Sequence, residues 1–231
     1  MWTQETRGRM ARIERKTKRR LSDPPQGPSV LADGLLYFRR FVRLTLFRTI
    51  YNIVVMHDHE RARREASPSA GIVDSHTAKP SAPGAERGYD AATTTVGRKR
   101  QIAVDTDGRL LMVNLTPADI SDSAGAQMIL EAIRKRWPWI KHLFPDGGYD
   151  RRQFLDKAAL LDFVIQVVLR IDTEAGFKVL LRRWMVERTF GWLIHWRRLV
   201  RDYERRVDSS ETMIHATMGS LLMRMMRRIS H

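Results

Sequence analysis

Apolar residues between positions 35 and 65 recur at three- and four-residue spacings: Leu35, Phe38, Phe41 and Val42, then Leu46, Phe47, Ile50, Ile53 and Val54. That period predicts two amphipathic helices meeting near Thr45, and Ala66-Ser67-Pro68-Ser69 breaks it at a domain boundary. Beyond the break the period shortens. Residues 70–77 (AGIVDSHT) read as a β-branched strand, 79–96 as a long loop rich in Pro, Gly, Ala and Thr, and 101–106 and 109–116 as two strands. Asp107-Gly108 between those two strands suits a two-residue hairpin turn. A helix follows, capped at Ser121 or Ser123, with Ala126, Ile129, Leu130 and Ile133 on one face and Pro138 closing it. Residues 142–145 form a very short apolar strand ending in Asp146-Gly147-Gly148, residues 151–161 a helix, and 163–169 a strand apolar enough to be buried on both faces. Two helices end the chain, over 181–201 and 210–229. The second carries Ile214, Met218, Leu221, Leu222, Met225 and Ile229 on one stripe, the pattern of a packing face.

Strand, hairpin, helix, strand, helix, strand and helices in that order predict an α/β fold. An antiparallel hairpin extends a parallel core, with helices on both faces of a mixed sheet. No apolar run approaches the ~18 residues of a membrane-spanning helix, and the basic N-terminus has no apolar stretch behind it, so a secretory signal is not expected. The pattern is that of a soluble intracellular protein, and the chain's 231 residues suit one domain with a small appendage.

Charge narrows the class of partner. Lysine and arginine number 41 against 26 acidic residues, a net charge of +15, which points to a polyanion, nucleic acid ahead of anionic membrane. Residues 9–20 form a basic arm, and 21–29 (LSDPPQGPS) a helix-breaking linker. The expected organisation is arm and linker over 1–33, a helical region over 34–69 and the α/β domain over 70–231. There is no cysteine, which excludes disulfides, thiolate zinc sites and cysteine nucleophiles; a metal here sits on oxygen or imidazole.

Three acidic residues stand in apolar surroundings: Asp74 within its strand, Asp146 at the end of a four-residue strand, and Glu187 in the helical segment RRWMVERTFGWL. Carboxylates on neighbouring strands and a packing helix can converge at the crevice of an α/β sheet. At ~4 Å two like charges repel by about 4 kcal/mol at an effective dielectric near 20, so a converged triad calls for a cation such as Mg²⁺ or Mn²⁺. The competing account pairs each acid with a basic side chain, and Arg183 and Arg188 stand close to Glu187 for that purpose.

The segments GIVDSHTAK (71–79), RGYDA (87–91), GRKRQIAVD (97–105), FPDGGY (144–149), RRWMVERTFGW (182–192) and RRLVRDYER (197–205) together resemble bacterial insertion-sequence transposases of the DDE type, in particular the IS-five branch. The resemblance covers about residues 35–230 in order. It implies a ribonuclease H-like catalytic domain with Asp74, Asp146 and Glu187 as catalytic triad and metal ligands. It also implies two Mg²⁺ or Mn²⁺ ions, in-line phosphoryl transfer for both DNA cleavage and strand transfer, and a homodimer assembled on DNA in the bacterial cytoplasm at the nucleoid. The separations, 146 − 74 = 72 and 187 − 146 = 41 residues, leave no room for a large insertion. Relatives carry an Arg where Arg183 stands, while the Tyr and Lys of that wider signature are replaced by Leu180 and Ile194.

DNA contacts are expected from Arg98, Lys99 and Arg100, from Arg183 and Arg188, and from Arg197 and Arg198, through backbone phosphate. Trp184, Trp192 and Trp196, at helical spacing, are expected in the core rather than on bases. Asp90, Asp105, Asp119 and Asp122 read as turn, loop and cap residues, and His57-Asp58-His59 as a solvated helix face. His76 shares a strand face with Asp74 and neighbours the site. Only 73 residues precede Asp74, fewer than in full-length relatives, so end recognition is expected to be impaired. A catalytically silent DNA-binding remnant is the alternative function.

Overall fold

The computed structural model describes residues 30–146, 149, 152–167 and 181–229. The basic arm therefore lies outside the described residues, as do Gly147 and Gly148. The chain divides into a unit ending at Leu44 and a larger one starting at Thr45, so the second predicted helix belongs with the α/β domain rather than with an N-terminal region reaching residue 69.

In the first unit, α1 (Val30–Arg43) places Asp33 in its first turn and Arg40 and Arg43 in its last, charges that complement the helix dipole. Tyr37 and Phe41, one turn apart, bring their rings to 6.5 Å. The second unit opens at Thr45, whose φ of 49° is rare for a β-branched residue. It contains α2 (Leu46–Arg61), β1 (Ala70–Ala78), β2 (Gly88–Asp90), β3 (Thr95–Val104), β4 (Leu110–Pro117), α3 (Asp122–Arg136), β5 (His142–Pro145), α4 (Arg152–Leu160), β6 (Val164–Ile165), α5 (Leu181–His195) and α6 (Val207–Ile229).

The sheet runs β2-β3-β1-β5-β6, with β4 also on β3. β1, β3 and β4 are antiparallel neighbours, and β5 and β6 continue from β1 in parallel. Three antiparallel strands extended by two parallel ones make this a mixed α/β, ribonuclease H-like sheet, as expected. α3 packs over β4, β3 and β1; α5 packs on β1 and β3; α6 lies against β4 and α2. The Ser121 cap forms as predicted, its side chain accepting from Ala124 N–H at 3.2 Å, and Ala126, Ile129, Leu130 and Ile133 are buried. Ile214, Met218 and Leu222 of the α6 stripe are buried as well.

Three elements differ from expectation. β3 begins at Thr95, six residues early, and so takes the basic cluster 98–100 into the sheet. The predicted strand over 163–169 forms only at Val164 and Ile165, and Val164 is exposed because β6 is an edge strand; residues 168 and 169 lie outside the described residues. The hairpin turn is longer than two residues. Asp105 N–H donates to Arg109 O at 2.9 Å, and Asp105 Oδ1 accepts from the N–H groups of Asp107 and Arg109, both at 2.8 Å. The side chain thus mimics a backbone turn, and only Gly108, at φ +75°, takes the left-handed conformation.

A Cβ on Gly108 would stand 3.0 Å from Thr189 Oγ1 and 3.2 Å from Met185 O of α5. Gly108→Ala therefore combines an unfavourable φ with a crowded helix contact. It is expected to lower stability by about 1–3 kcal/mol in urea unfolding; an unchanged midpoint would show that α5 can shift freely.

Candidate active site

β1 and β5 pair in parallel with Ala70 opposite His142 and Val73 opposite Pro145, a constant offset of 145 − 73 = 72 residues. Asp74 and Asp146 differ by that same 72, so one further step along both strands places them level. Level positions on adjacent strands are about 4.8 Å apart and face the same side. Gly71, Val73 and Ser75 turn towards α3; Ile72, Asp74 and His76 turn the other way, towards α5, where the His76 ring lies 5.3 Å from that of Phe190.

Glu187 lies one turn before Phe190 on α5 and is exposed. α5 runs in the same sense as β1: Thr189 Oγ1 donates to Gly108 O at 2.8 Å, Phe190 meets His76, and further on Asp202 N–H donates to Lys79 O at 2.9 Å. Glu187 is about 4.5 Å back along α5 from Phe190, and Asp74 about 6.6 Å back along β1 from His76, the two residues whose rings meet. Arg188, Thr189 and Met185 occupy the flank at the β3–β4 turn, and Glu187 sits on the flank turned away from it.

Around the two aspartates is a network that motif matching did not assign. Ser75 N–H donates to Asp74 Oδ1 at 2.8 Å, while Ser75 Oγ donates to Asp122 Oδ1 at 2.6 Å, and Lys99 Nζ lies 3.1 Å from the same oxygen. Asp122 thus braces β1 as well as opening α3. Tyr149 is buried beside them. Burial first, then the charges of Asp74 and Asp122, push its phenol well above the ordinary tyrosine range, so it stays neutral. Its place directly after Asp146-Gly147-Gly148 was the available signal. His76, half-buried, is pushed below its ordinary value by burial and by Arg100, which favours a neutral imidazole.

The basic cluster is corrected. Arg98 is 1% exposed, paired with Asp202 at 2.9 Å and bonded to the carbonyls of Glu86, Glu204 and Arg205. Lys99 is buried against Asp122, and Arg100, also buried, donates to Leu199 O at 2.7 Å. Arg98 and Arg100 tie the segment after α5 to the sheet, Lys99 ties the start of α3 to it, and all three are almost wholly covered. Arg188 is half-buried, donating to Asp107 O at 2.6 Å, with its guanidinium over the Trp184 ring (4.6 Å) and the Trp192 ring (4.8 Å). Trp184 itself is 40% exposed, so it is not core. Arg197 and Arg198 are exposed, Arg198 pairing with Glu204 at 2.6 Å; the side chain of Arg183 lies outside the described residues. Arg98→Lys keeps the charge but loses the planar fork that serves four acceptors. It is expected to cost about 1–3 kcal/mol in stability, read in urea unfolding. An unchanged unfolding midpoint would show that the four acceptors are served as well by an ammonium group.

His57-Asp58-His59 is corrected too. His57 is exposed, but Asp58 is buried and bridges to Arg109 at 2.8 Å, and His59 is buried with Nε2 2.6 Å from Asp105 Oδ2. Asp119 remains in a turn, but Asp90 ends β2 and is buried, accepting from Thr77, Thr93 and Ala92. His59, Asp105 and Asp107 bring one potential ligand atom each within 4.8 Å of one another. His59 Nδ1 lies 3.0 Å from Ala66 O and so carries its proton there, Nε2 is taken by Asp105, and Arg64 pairs with Asp107. The positive charge this cluster needs is supplied by its own side chains.

No helix among the described residues is long and apolar enough to cross a membrane. The Burkholderia cepacia protein "Putative transposase for insertion sequence element IS402" is 35% identical over 124 residues, which span 48% of this chain and 56% of that protein. The chain thus covers little more than half the length of that relative. Similar solved structures include the catalytic core domain of BIV integrase (10% identity, TM-score 0.41, 71% of this chain and 99% of that one). A simian T-cell lymphotropic virus intasome with PP2A regulatory subunit B56 gamma is similar at 16% identity and TM-score 0.38, over 56% of this chain and 40% of that one. Residues 65–222, which contain both strand aspartates and Glu187, match the model of the transposase DDE domain, and the chain belongs to that family.

Proposed function

We propose that this chain is an insertion-sequence DNA transposase of the IS-five branch, acting at the nucleoid as a homodimer on DNA, with Asp74, Asp146 and Glu187 as its catalytic carboxylates. The observation that supports this is the shared 72-residue offset: Asp74 and Asp146 each come directly after the paired residues Val73 and Pro145 on adjacent parallel strands. Glu187 is on the helix packed on β1, one turn before the residue whose ring meets His76.

The donor set fits a pair of hard divalent cations: three carboxylate groups, no sulfur, and a neighbouring phenol held neutral beside the charges. Bound Mg²⁺ or Mn²⁺ would supply Lewis-acid stabilisation of the attacking and leaving oxygens of an in-line displacement at phosphorus. Asp74 and Asp146 hold their carboxylates on rigid strand ends, Asp74 oriented further by the Ser75 N–H. Glu187, exposed on α5, closes the site from the helix side. Tyr149, buried and neutral, lies near enough to feel the charges of both aspartates without adding one of its own.

A nicking assay on supercoiled DNA carrying the element's terminal repeats tests this. Cleavage is expected with Mg²⁺ or Mn²⁺ and not with chelator, and Asp74→Ala, Asp146→Ala and Glu187→Ala should each remove it. Cleavage surviving all three substitutions would end the triad assignment. A wild-type chain that binds DNA but never nicks would favour the silent remnant.

A further inference from the structure

Away from the candidate active site, two arginines and a histidine lie beside β4 with one partly ionised acid, Glu211, among them. α2 and α6 lie side by side in the same direction. The Tyr51 ring stands edge-on to His215 at 5.9 Å, and farther along Arg61 Nη1 donates to Met226 O at 2.7 Å. Arg48 lies one turn before Tyr51, and Glu211 one turn before His215. Arg136, the last residue of α3, is close enough for its charge to be felt by Arg48 and His215. The next residue, Trp137, donates its indole N–H to Leu111 O at 3.2 Å, and the neighbouring Leu110 N–H donates to Tyr51 Oη at 2.8 Å.

Among the described residues neither Arg48 nor Arg136 makes an ion pair, and Arg48 Nε and Arg136 Nη1 are buried donors with no hydrogen-bond partner. His215 is 3% exposed. Its Nδ1 is committed to Glu211 O at 2.8 Å, while Nε2, equally buried, has no partner. Glu211 accepts from Leu115 N–H at 3.3 Å; burial pushes its carboxyl up to about 7, so near neutral pH it is only partly ionised. Burial, then Arg48 and Arg136, pushes the imidazole down to about 4, and burial followed by Arg48 lowers Arg136 itself. The groups feel one another as a knot of excess positive charge and unused donors. Buried donors without acceptors and like charges drawn together both cost free energy, and one anion relieves both. Both arginine side chains keep part of their surface in solvent, so an anion can approach the guanidinium groups, and it meets Arg48 Nε, Arg136 Nη1 and His215 Nε2 once these covered atoms turn towards it.

We propose that Arg48, Arg136 and His215 form a phosphate-binding site, occupied by a backbone phosphate of DNA. Guanidinium forks match the tetrahedral oxygens, and an imidazole that gains a proton on anion binding becomes a third donor through Nε2. A free phosphate ion has the same chemistry, so the test separates the two sources. The DNA half of the proposal rests on reading the chain as a transposase; the phosphate half does not.

The full chain is unfolded thermally in sodium phosphate and in sodium chloride of equal ionic strength, and its affinity for a short duplex lacking terminal phosphates is measured across a salt series. The wild type is expected to gain melting temperature in phosphate over chloride. Arg48→Gln and Arg136→Gln should melt in chloride at or above the wild-type temperature, since a repulsion is gone, and lose the phosphate gain. In the duplex titration, Arg136→Gln should flatten the slope of log K against log salt by about 0.9, the signature of one lost phosphate contact. No phosphate gain in the wild type, or a gain retained in both variants, overturns the site. A gain lost in the variants with an unchanged duplex slope means an adventitious ion only and overturns the DNA assignment. A wild type that gains from phosphate yet binds no duplex at all refutes the transposase reading and leaves the phosphate half standing.

Discussion

Replacing Asp146 or Asp74 by Asn is expected to reduce metal-dependent nicking roughly 10³-fold or more, about 4 kcal/mol of transition-state stabilisation, while the fold persists. Asn matches Asp in shape, and at position 74 its side-chain carbonyl still accepts the Ser75 N–H seen at 2.8 Å. What disappears is one negative charge where two aspartates follow directly on the paired residues Val73 and Pro145 of strands spaced by about 4.8 Å. A cation held there draws on both, so losing either charge weakens the site as a whole. Two readouts separate this from general damage. The wild type should melt at a higher temperature with Mg²⁺ than with chelator, and the Asn variants should show no such difference. In chelator the variants should melt within a few degrees of the wild type, because no carboxylate is left facing an empty partner position. An Asn variant that still nicks at the wild-type rate would remove its residue from the catalytic set; one that melts far lower would mark a structural carboxylate instead.

The features legible in the sequence are those written in local chemistry. The Ser121 cap, the apolar face of α3 and the β-branched run of β1 each follow from a short window, and each forms. The 72-residue spacing of the aspartates was visible as a number, but its meaning as a strand register needed β1 and β5 to be paired. Burial of charge was not legible. Arg98, Lys99 and Arg100 read as a phosphate track because basic runs are usually solvated; here they sit inside β3, where Asp202, Asp122 and the Leu199 carbonyl accept them. Those acceptors lie up to about a hundred residues away in sequence, beyond any local pattern. The same holds for Asp58 and His59, whose partners Arg109 and Asp105 belong to the β3–β4 turn. Asp105 also shows why the turn differed from expectation: its side chain takes over bonds that a two-residue turn assigns to the backbone.

That turn is where the second large effect is expected. His59 and Asp105 pair with both side chains nearly inaccessible, 2% and 0% exposed, and the opposite side of the turn holds α5 through Arg188 and Thr189. One loop therefore fastens α2 and the helix carrying Glu187 to the same strand pair. His59→Gln leaves the Asp105 carboxylate buried without its cation, a loss of about 3–5 kcal/mol, or about 6–20 °C in melting temperature for a unit of this size. The pH dependence identifies the cause. Burial presses the His59 pKa down, but the hydrogen bond to Asp105, the Ala66 carbonyl and the Asp105 charge outweigh it, and the net shift is upward from 6.5. A raised folded pKa means that the native state holds its proton more tightly than the unfolded chain. The stabilisation is complete below the unfolded value near 6.5 and is lost as pH rises through the folded value. Urea unfolding followed from about pH 5 to about pH 9 should show wild-type stability declining on the alkaline side, and His59→Gln should flatten that decline. If His59, Asp105 and Asp107 instead held a cation, stability would fall on adding chelator and would rise with pH as the imidazole lost its proton. The opposite signs of the two slopes decide between a charged latch and a metal site.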